Sequence, residues 1–390
     1  MVADGGKSGD AGGPTEALPQ QEEFWRPPVR FGSVPVEKEP LGWDRRQGFR
    51  KLFPAVMLPT QVVDRVSFGH PELEPNRLFW GDNLHVMRQL PPECIDLIYI
   101  DPPFFSGRQY NVIFGDQNEL RSFSDIWEGG MPGYLIWLNA RLYEMKRLLK
   151  KTGSIYVHCD WHASHYIKVE MDKILGHENM MNELGWCYRG GGIKKDRFAR
   201  KHDTILWYRK GAACKFNVDA VRIPYSDDSL ERLNYTARAF RTSGTYDSYR
   251  PNKKGKHPDD WFEIQPLMPS EKTERIGYPT QKPLELLQRL IEATTDRGDV
   301  VADFFVGGGS LLAAAAGARS VRTSENRPAV KFRPELARRW LGCDQSRVAV
   351  ALTADRLTSL YESEGLLKSV SQVPDFTIVK NGEKVDTFSG

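Results

Sequence analysis

The amino-acid sequence predicts an α/β fold: a largely parallel sheet split by a basic insert. Three observations predict it. From residue 77 onward, short wholly apolar runs alternate with longer segments whose apolar residues recur at helical spacing. The apolar runs are of the kind buried on both faces, as strands of a parallel sheet are. The alternation fades between about residues 210 and 275, where basic, polar and aromatic residues mix, and then resumes.

Taken in order, residues 1–24 are rich in Gly, Pro, Glu and Gln, without apolar periodicity, and are expected to form a disordered arm. Residues 25–76 are punctuated by prolines and read as irregular. Residues 78–80 (LFW) predict a strand, and 83–90 a helix stopped by Pro91-Pro92. Residues 95–100 (IDLIYI) predict a buried strand. Residues 134–150 predict an amphipathic helix with basic last turns, terminated near Gly153. Residues 154–159 (SIYVHC) predict a strand, 166–175 a helix and 204–208 (TILWY) a strand. After the insert, 283–293 predict a helix opened by Pro283. Then follow a strand at 300–305 (VVADFF), a glycine loop, a helix at 310–316, a strand at 340–343 ending in Asp344, and a closing helix at 348–361. The organisation expected is 1–24, 25–76, a first half at 77–188, an insert at 189–275, a second half at 276–361 and a tail at 362–390.

Composition excludes several classes. Hydrophobic residues make up 40% and charged residues 27%, as in soluble globular proteins. No run of about 18 apolar residues is present, so no membrane span is expected, and the first residues lack the basic-then-apolar pattern of a signal peptide. The five cysteines are scattered, without a CxxC pair, which argues against a disulfide framework or zinc site and for a reducing cytoplasm. His158 and His162 are spaced as a helical pair, but a third metal partner is missing, so no metal is expected. Net charge is only +3, yet 17 Lys or Arg stand against 7 Asp or Glu between Arg189 and Lys256. A basic segment on a mildly acidic body suits a polyanion such as nucleic acid.

Two constellations carry chemistry. Asp303-Phe304-Phe305-Val306-Gly307-Gly308-Gly309-Ser310 lies between a strand and a helix, where glycines let the backbone approach a ligand. Its spacing is not GxGxxG, which disfavours a nicotinamide dehydrogenase; a tight strand-to-helix turn would also account for it. Asp101-Pro102-Pro103-Phe104 closes the buried 95–100 strand. The prolines fix the turn and leave preceding carbonyls free to accept hydrogen bonds. Asp101 adds an acceptor and Phe104 a flat apolar face, a set suited to a planar heterocycle bearing an amino group.

With these residues in hand, the sequence resembles the amino-group DNA methyltransferases, in the permuted order that places the DPPY-type motif before the glycine loop. The matching segments are WGDNL (80–84), DLIYIDPPFFSGRQY (96–110), GSIYVHCD (153–160), RKHDTILWY (200–208), YPTQKPLELL (278–287), DFFVGGGS (303–310) and RRWLGCDQS (338–346). The resemblance implies a Rossmann-like, seven-stranded methyltransferase sheet with helices on both faces, interrupted by a DNA-recognition insert, and S-adenosylmethionine as cofactor. It implies that Asp101 and the backbone at Pro102 and Pro103 hold the target amine while Phe104 stacks on a flipped base. Asp303, Phe305, Gly307 and Gly309 would line the methionine end of the cofactor, Thr280 and Lys282 would reach its carboxylate, and Asp82 would touch its adenine end. An acid beyond the glycine loop would bind the ribose. Glu325 lies at the usual distance, but Asp344 has the better context, which requires an insertion at about 317–336; Asp344 is preferred. The usual FxGSGT loop reads FVGGGS here, and a lost Ser side chain at 308 is expected to be tolerated.

The partner implied is double-stranded DNA, with a homodimer left open. Lys194, Lys195, Arg197, Arg200 and Lys201 would hold phosphates, and Arg side chains among Tyr225, Tyr235, Tyr246 and Tyr249 would read bases. No Pro-Cys motif of C5-cytosine chemistry is present. Asp at the head of the motif goes mostly with N6-adenine in this family, and Ser mostly with N4-cytosine. The remaining alternatives are N4-cytosine methylation, an RNA or protein methyltransferase, and a catalytically weakened DNA-binding relative.

Overall fold

The structure, a computed structural model, describes residues 58–68, 70–103, 130–190, 194–226, 237–240, 246–249, 252–278, 280–325, 327–362 and 373–382. The expected arm at 1–24, Phe104 and Tyr235 lie outside the described residues, as do the side chains of Tyr246 and Tyr249.

Regular structure starts with β1 (Thr60–Val66), earlier than the sequence suggested, and β2 (Asn76–Trp80). Helix α1 (Asn83–Gln89) is capped by Asp82, whose carboxylate accepts the Leu84 N–H at 2.7 Å. Strand β3 (Ile95–Ile100) is buried at every residue. Helix α2 (Gly130–Leu148) runs straight into β4 (Leu149–Cys159), so the predicted helix end at 150 is two residues too long. Gly153 is therefore no helix terminator. It lies inside β4, where a Cβ would come 3.0 Å from the Lys150 carbonyl oxygen and 3.2 Å from that of Asp96.

Helix α3 (Ser164–Leu175) leads to β5 (Met180–Cys187), an unpredicted strand, and then β6 (His202–Arg209). Strands β7 (Ala237–Phe240) and β8 (Tyr246–Tyr249) form a separate hairpin, whereas β9 (Trp261–Glu263) joins the main sheet although it falls within the expected insert. Helix α4 (Leu284–Thr294) starts behind Pro283, β10 (Val300–Asp303) carries the glycine loop, and α5 (Ser310–Ala316) follows it. Strands β11 (Ala318–Arg322) and β12 (Pro328–Phe332) make a second hairpin apart from the main sheet. That hairpin is the extra segment expected at 317–336. Strand β13 (Arg339–Asp344), helix α6 (Arg347–Glu362) and strand β14 (Phe376–Asn381) complete the chain. The 362–390 stretch thus supplies a strand rather than only a tail.

The main sheet has ten strands, not seven, in the order β1-β14-β2-β13-β10-β3-β4-β6-β5-β9. The run from β14 to β4 is parallel, with β1 and β6 antiparallel to their neighbours within it. The alternation of side chains along β3 shows the two faces: Leu97 and Tyr99 pack with α4, α5 and α6, while Ile98 and Ile100 pack with α1, α2 and α3. Helices therefore cover both faces, as in a Rossmann-like fold. Among the described residues no helix is long and apolar enough to cross a membrane.

The topology locates the functional edge. From β3 the chain crosses through α2 to β4 on one side; from β10 it crosses through α5 to β13 on the other. β3 and β10 are hydrogen-bonded neighbours, Val301 beside Leu97. The strand order therefore reverses between them. A crevice opens at the carboxyl ends of such a strand pair, because the connecting segments diverge there.

Candidate active site

Three carboxylates stand at that edge. Asp101 follows β3, Asp303 ends β10 and Asp344 ends β13, and these are three adjacent strands. Asp303 is 3% exposed and accepts the Phe305 N–H at 2.8 Å. Burial pushes its carboxyl well above the ordinary range, the charges of Asp101 and Asp344 add to this, and Lys282 opposes it. Asp344 accepts the N–H of Gly307 and of Ser346, each at 2.8 Å; burial still raises its carboxyl, against those hydrogen bonds. Lys282 Nζ pairs with Asp101 Oδ2, and both side chains are largely covered. Asp101 Oδ1 has no partner among the described residues. Three clustered acids against one lysine leave a site rich in acceptors, and a positively charged ligand bound there would favour their ionised forms.

The glycine loop is held from two sides. Gly307 and Gly309 have φ of +51° and +67°, in the left-handed region where a Cβ is strained. A Cβ at Gly308 would lie 3.0 Å from Tyr278 Cβ, and one at Gly309 2.7 Å from the Thr353 side chain. A serine at 308 would be tight against Tyr278 and Ile276, which would have to give by a few tenths of an ångström. Thr353 Oγ1 donates to the Gly307 carbonyl at 3.2 Å, and Arg356 donates to the Gly308 carbonyl and to Ser310 Oγ, both at 2.9 Å. Burial brings the Arg356 guanidinium down to about 10, with Glu274 opposing. Gly309→Ala is expected to destabilise the protein by about 1–3 kcal/mol, through positive φ and the Thr353 overlap. A denaturant titration checks it; an unchanged midpoint would show that the loop relaxes freely.

The TQKP segment is fixed by residues that sequence reasoning missed. Glu274 accepts the Leu284 N–H at 2.6 Å at the start of α4, and Gln281 Nε2 donates to the Glu274 carbonyl at 2.8 Å. Thr280 is exposed, and Lys282 turns inward to Asp101.

A further wall was invisible in the sequence. Arg141 of α2 is 4% exposed; it donates to Asp82 at 3.0 Å and to Asn83 Oδ1 at 2.6 Å. Asn83 in turn donates to the Phe304 carbonyl at 2.7 Å, just after Asp303. The Arg141 guanidinium lies 4.2 Å from the Trp137 ring, and Trp137 packs against Phe305 with centroids 5.6 Å apart. Asp82, expected to touch a ligand, caps α1 and holds Arg141, with its side chain 37% exposed. The available signal was an arginine one turn beyond Trp137 on an otherwise apolar helix face.

Beneath the site runs a buried polar chain. Tyr99 OH and His158 Nδ1 are 2.8 Å apart, His158 Nε2 lies 3.2 Å from Asp203 Oδ2, and Tyr188 OH donates to Asp203 Oδ1 at 3.2 Å. Burial disfavours the Asp203 charge, but His158, Lys282 and Tyr188 outweigh it and hold the carboxyl below its usual range. His158 is fully buried and links β3 to β6 through polar contacts.

The expected phosphate ligands lie on the β5–β6 connection. Lys194, Lys195, Arg197 and Arg200 are exposed and Lys201 is half-buried. The loop neck is closed by Tyr188 N–H donating to the Lys201 carbonyl at 2.9 Å. Arg200 lies over the Trp161 ring at 3.6 Å. Pro102 is buried and Pro103 half-buried behind Asp101.

Comparison with known proteins places this geometry. The model of the N6/N4 DNA methylase family matches residues 95–355. The chain is 24% identical over 265 residues to the type II methyltransferase M.BglII of Bacillus subtilis, covering 65% of this chain and 66% of that protein. It is 30% identical over 239 residues to the type II methyltransferase M.BamHI of Bacillus amyloliquefaciens, covering 61% and 51%. It is 27% identical over 237 residues to the DNA adenine methyltransferase YhdJ of Escherichia coli K12, covering 60% and 72%. The chain spans about two thirds of M.BglII and about half of M.BamHI. Among solved structures, PvuII DNA methyltransferase (cytosine-N4-specific) aligns with a TM-score of 0.48 at 15% identity, covering 75% of this chain and 92% of that one.

Proposed function

Because the chain belongs to the N6/N4 DNA methylase family, we propose that it moves the methyl group of S-adenosylmethionine to the N6 amino group of adenine in double-stranded DNA. The observation that carries this is the row of Asp101, Asp303 and Asp344 across the β3–β10–β13 edge, with one acceptor oxygen of Asp101 unengaged among the described residues. The donor set fits this cofactor. Asp303 and Asp344 offer carboxyls whose charge burial disfavours and a cationic ligand would stabilise, Asp344 offers an acceptor to a ribose diol, and Phe305 offers an apolar face against Trp137. When bound there, the cofactor supplies an electrophilic methyl on a sulfonium.

The chain's own residues do the rest. An aromatic amine is a poor nucleophile because its lone pair is delocalised into the ring. Asp101 Oδ1 accepts one amine hydrogen, and a carbonyl of the Asp101-Pro102-Pro103 turn accepts the other. These contacts draw the nitrogen toward tetrahedral geometry and localise the pair. Acceptors already in place then meet the positive charge that develops on the nitrogen, without reorganisation at the moment of transfer. Asn83 and Arg141 hold the Phe304 carbonyl, and so fix the β10 end relative to α1 and α2. A base inside a duplex cannot reach this crevice and must be turned out of the stack.

Adenine rests on the aspartate at the head of the motif, where the N4-cytosine members mostly carry serine. Tritiated methyl transfer to unmethylated phage DNA tests the whole reading. Nucleoside digestion and mass spectrometry are expected to show N6-methyladenine within one short sequence. N4-methylcytosine as the main product overturns the base assignment, and absence of incorporation overturns the activity.

The exposed cations of the β5–β6 connection are assigned to phosphates. Replacing Lys194, Lys195 and Arg197 together with Ala is expected to weaken DNA binding. The log–log salt slope should fall by about one for each phosphate that is no longer neutralised. An unchanged slope would place the DNA surface elsewhere.

A further inference from the structure

Phe198 is 98% exposed, the most exposed large apolar side chain among the described residues. It sits within Lys194-Lys195-Asp196-Arg197-Phe198-Ala199-Arg200-Lys201, which has five cations and one acid. The acid is turned on its own neighbour, Asp196 to Arg197 at 3.4 Å. The loop that bears the ring is anchored at its neck: Cys187 pairs with His202, and Tyr188 bonds to Lys201. Arg200 is stacked on Trp161, itself 49% exposed and two residues past the end of β4. β4 borders β3, so this anchor stands on the same edge as Asp101. The loop is therefore fixed at its base on the edge that carries Asp101, and its ring is almost fully exposed among the described residues.

We propose that Phe198 is the residue that enters the DNA stack when the target base leaves it. This rests on the reading of the chain as a duplex DNA methyltransferase. A bare aromatic ring in water is unfavourable, and packing among the described residues gives no reason for one here. A polyanion whose interior is a stack of flat rings explains both parts of the loop. The cations meet phosphates, and the phenyl takes the stacking surface vacated by the extruded base or wedges the adjoining step. Stacking needs a flat ring and no particular hydrogen bond, which suits Phe.

The test uses duplexes carrying the site mapped by the methylation experiment, with the target base either paired or opposite an abasic position. Single-turnover methyl transfer is measured for wild type, Phe198→Ala and Phe198→Trp, alongside cofactor affinity. Phe198→Ala is expected to lose roughly tenfold or more on the paired duplex. It should approach wild type on the abasic one, where no base pair has to be opened and extrusion costs less. Phe198→Trp should retain activity on both, and cofactor affinity should not move. The assignment is overturned if Phe198→Ala matches wild type on the paired duplex, if it loses equally on both duplexes, or if Phe198→Trp is as damaged as Phe198→Ala. Wild-type protein inactive on both duplexes would instead sink the methyltransferase reading itself.

Discussion

Asp101→Ala is expected to lower the methyl-transfer rate by about a hundredfold or more, the usual cost of removing one preorganised group that meets developing charge. The structure adds a complication that the sequence did not contain. Asp101 also pairs with Lys282, and both side chains are mostly covered. Removing the carboxylate breaks the Lys282 pair in a mostly covered site, so the alanine variant alone would mix catalysis with local rearrangement. Asp101→Asn separates them. It keeps the side-chain shape and one acceptor oxygen but loses the charge and the second acceptor. Both variants should lose turnover while Asn binds cofactor within about threefold of wild type, the pattern of an interaction made chiefly in the transition state. Single-turnover rates beside equilibrium cofactor binding check this. Either variant retaining more than about a tenth of wild-type turnover would remove Asp101 from the reaction.

What could be read from the sequence follows from how locally each feature is determined. Strands β3, β4 and β10 are buried on both faces, so their apolar runs declare them. Helix α5 is bracketed by Gly309 and Gly317, and its bounds follow from those two residues. β5 hides because Asn182 and Glu183 interrupt its apolar residues; it is specified by pairing with β6 and β9 rather than by pattern. β1 is exposed along nearly its whole length and gains its place from β14, more than 300 residues later in the chain. No local window contains that information.

The site divides in the same way. Acids at strand ends are visible because strand, turn and glycine loop are all local signals. The Asp82–Arg141–Asn83–Phe304 wall joins three separate elements, and each of its residues looks ordinary alone. Tyr278 is a further case. The sequence shows a missing serine at position 308, but only the packing shows how closely Tyr278 approaches that position.

The insertion after the glycine loop separates the two acids that could reach the ribose. Glu325 lies in the turn region between β11 and β12, a hairpin apart from the main sheet; its side chain is 69% exposed and faces Arg327 at 3.3 Å. Asp344 ends β13, directly beside β10, with its oxygens on the Gly307 and Ser346 amides. A ligand lying over the β10–β13 edge meets Asp344 and not Glu325. Asp344→Ala should therefore weaken S-adenosylmethionine binding by about 10–150-fold, corresponding to roughly 1.5–3 kcal/mol for a charge-assisted hydrogen bond. Glu325→Ala should leave it unchanged. Part of the alanine effect will come from the glycine loop, since the Gly307 N–H loses its acceptor. Asp344→Asn keeps an acceptor oxygen for that amide while removing the charge, so its residual loss measures the direct contribution to the ligand. Titration calorimetry on the three variants decides it. Weaker binding in Glu325→Ala than in Asp344→Ala would show that the hairpin, rather than the β13 end, reaches the cofactor.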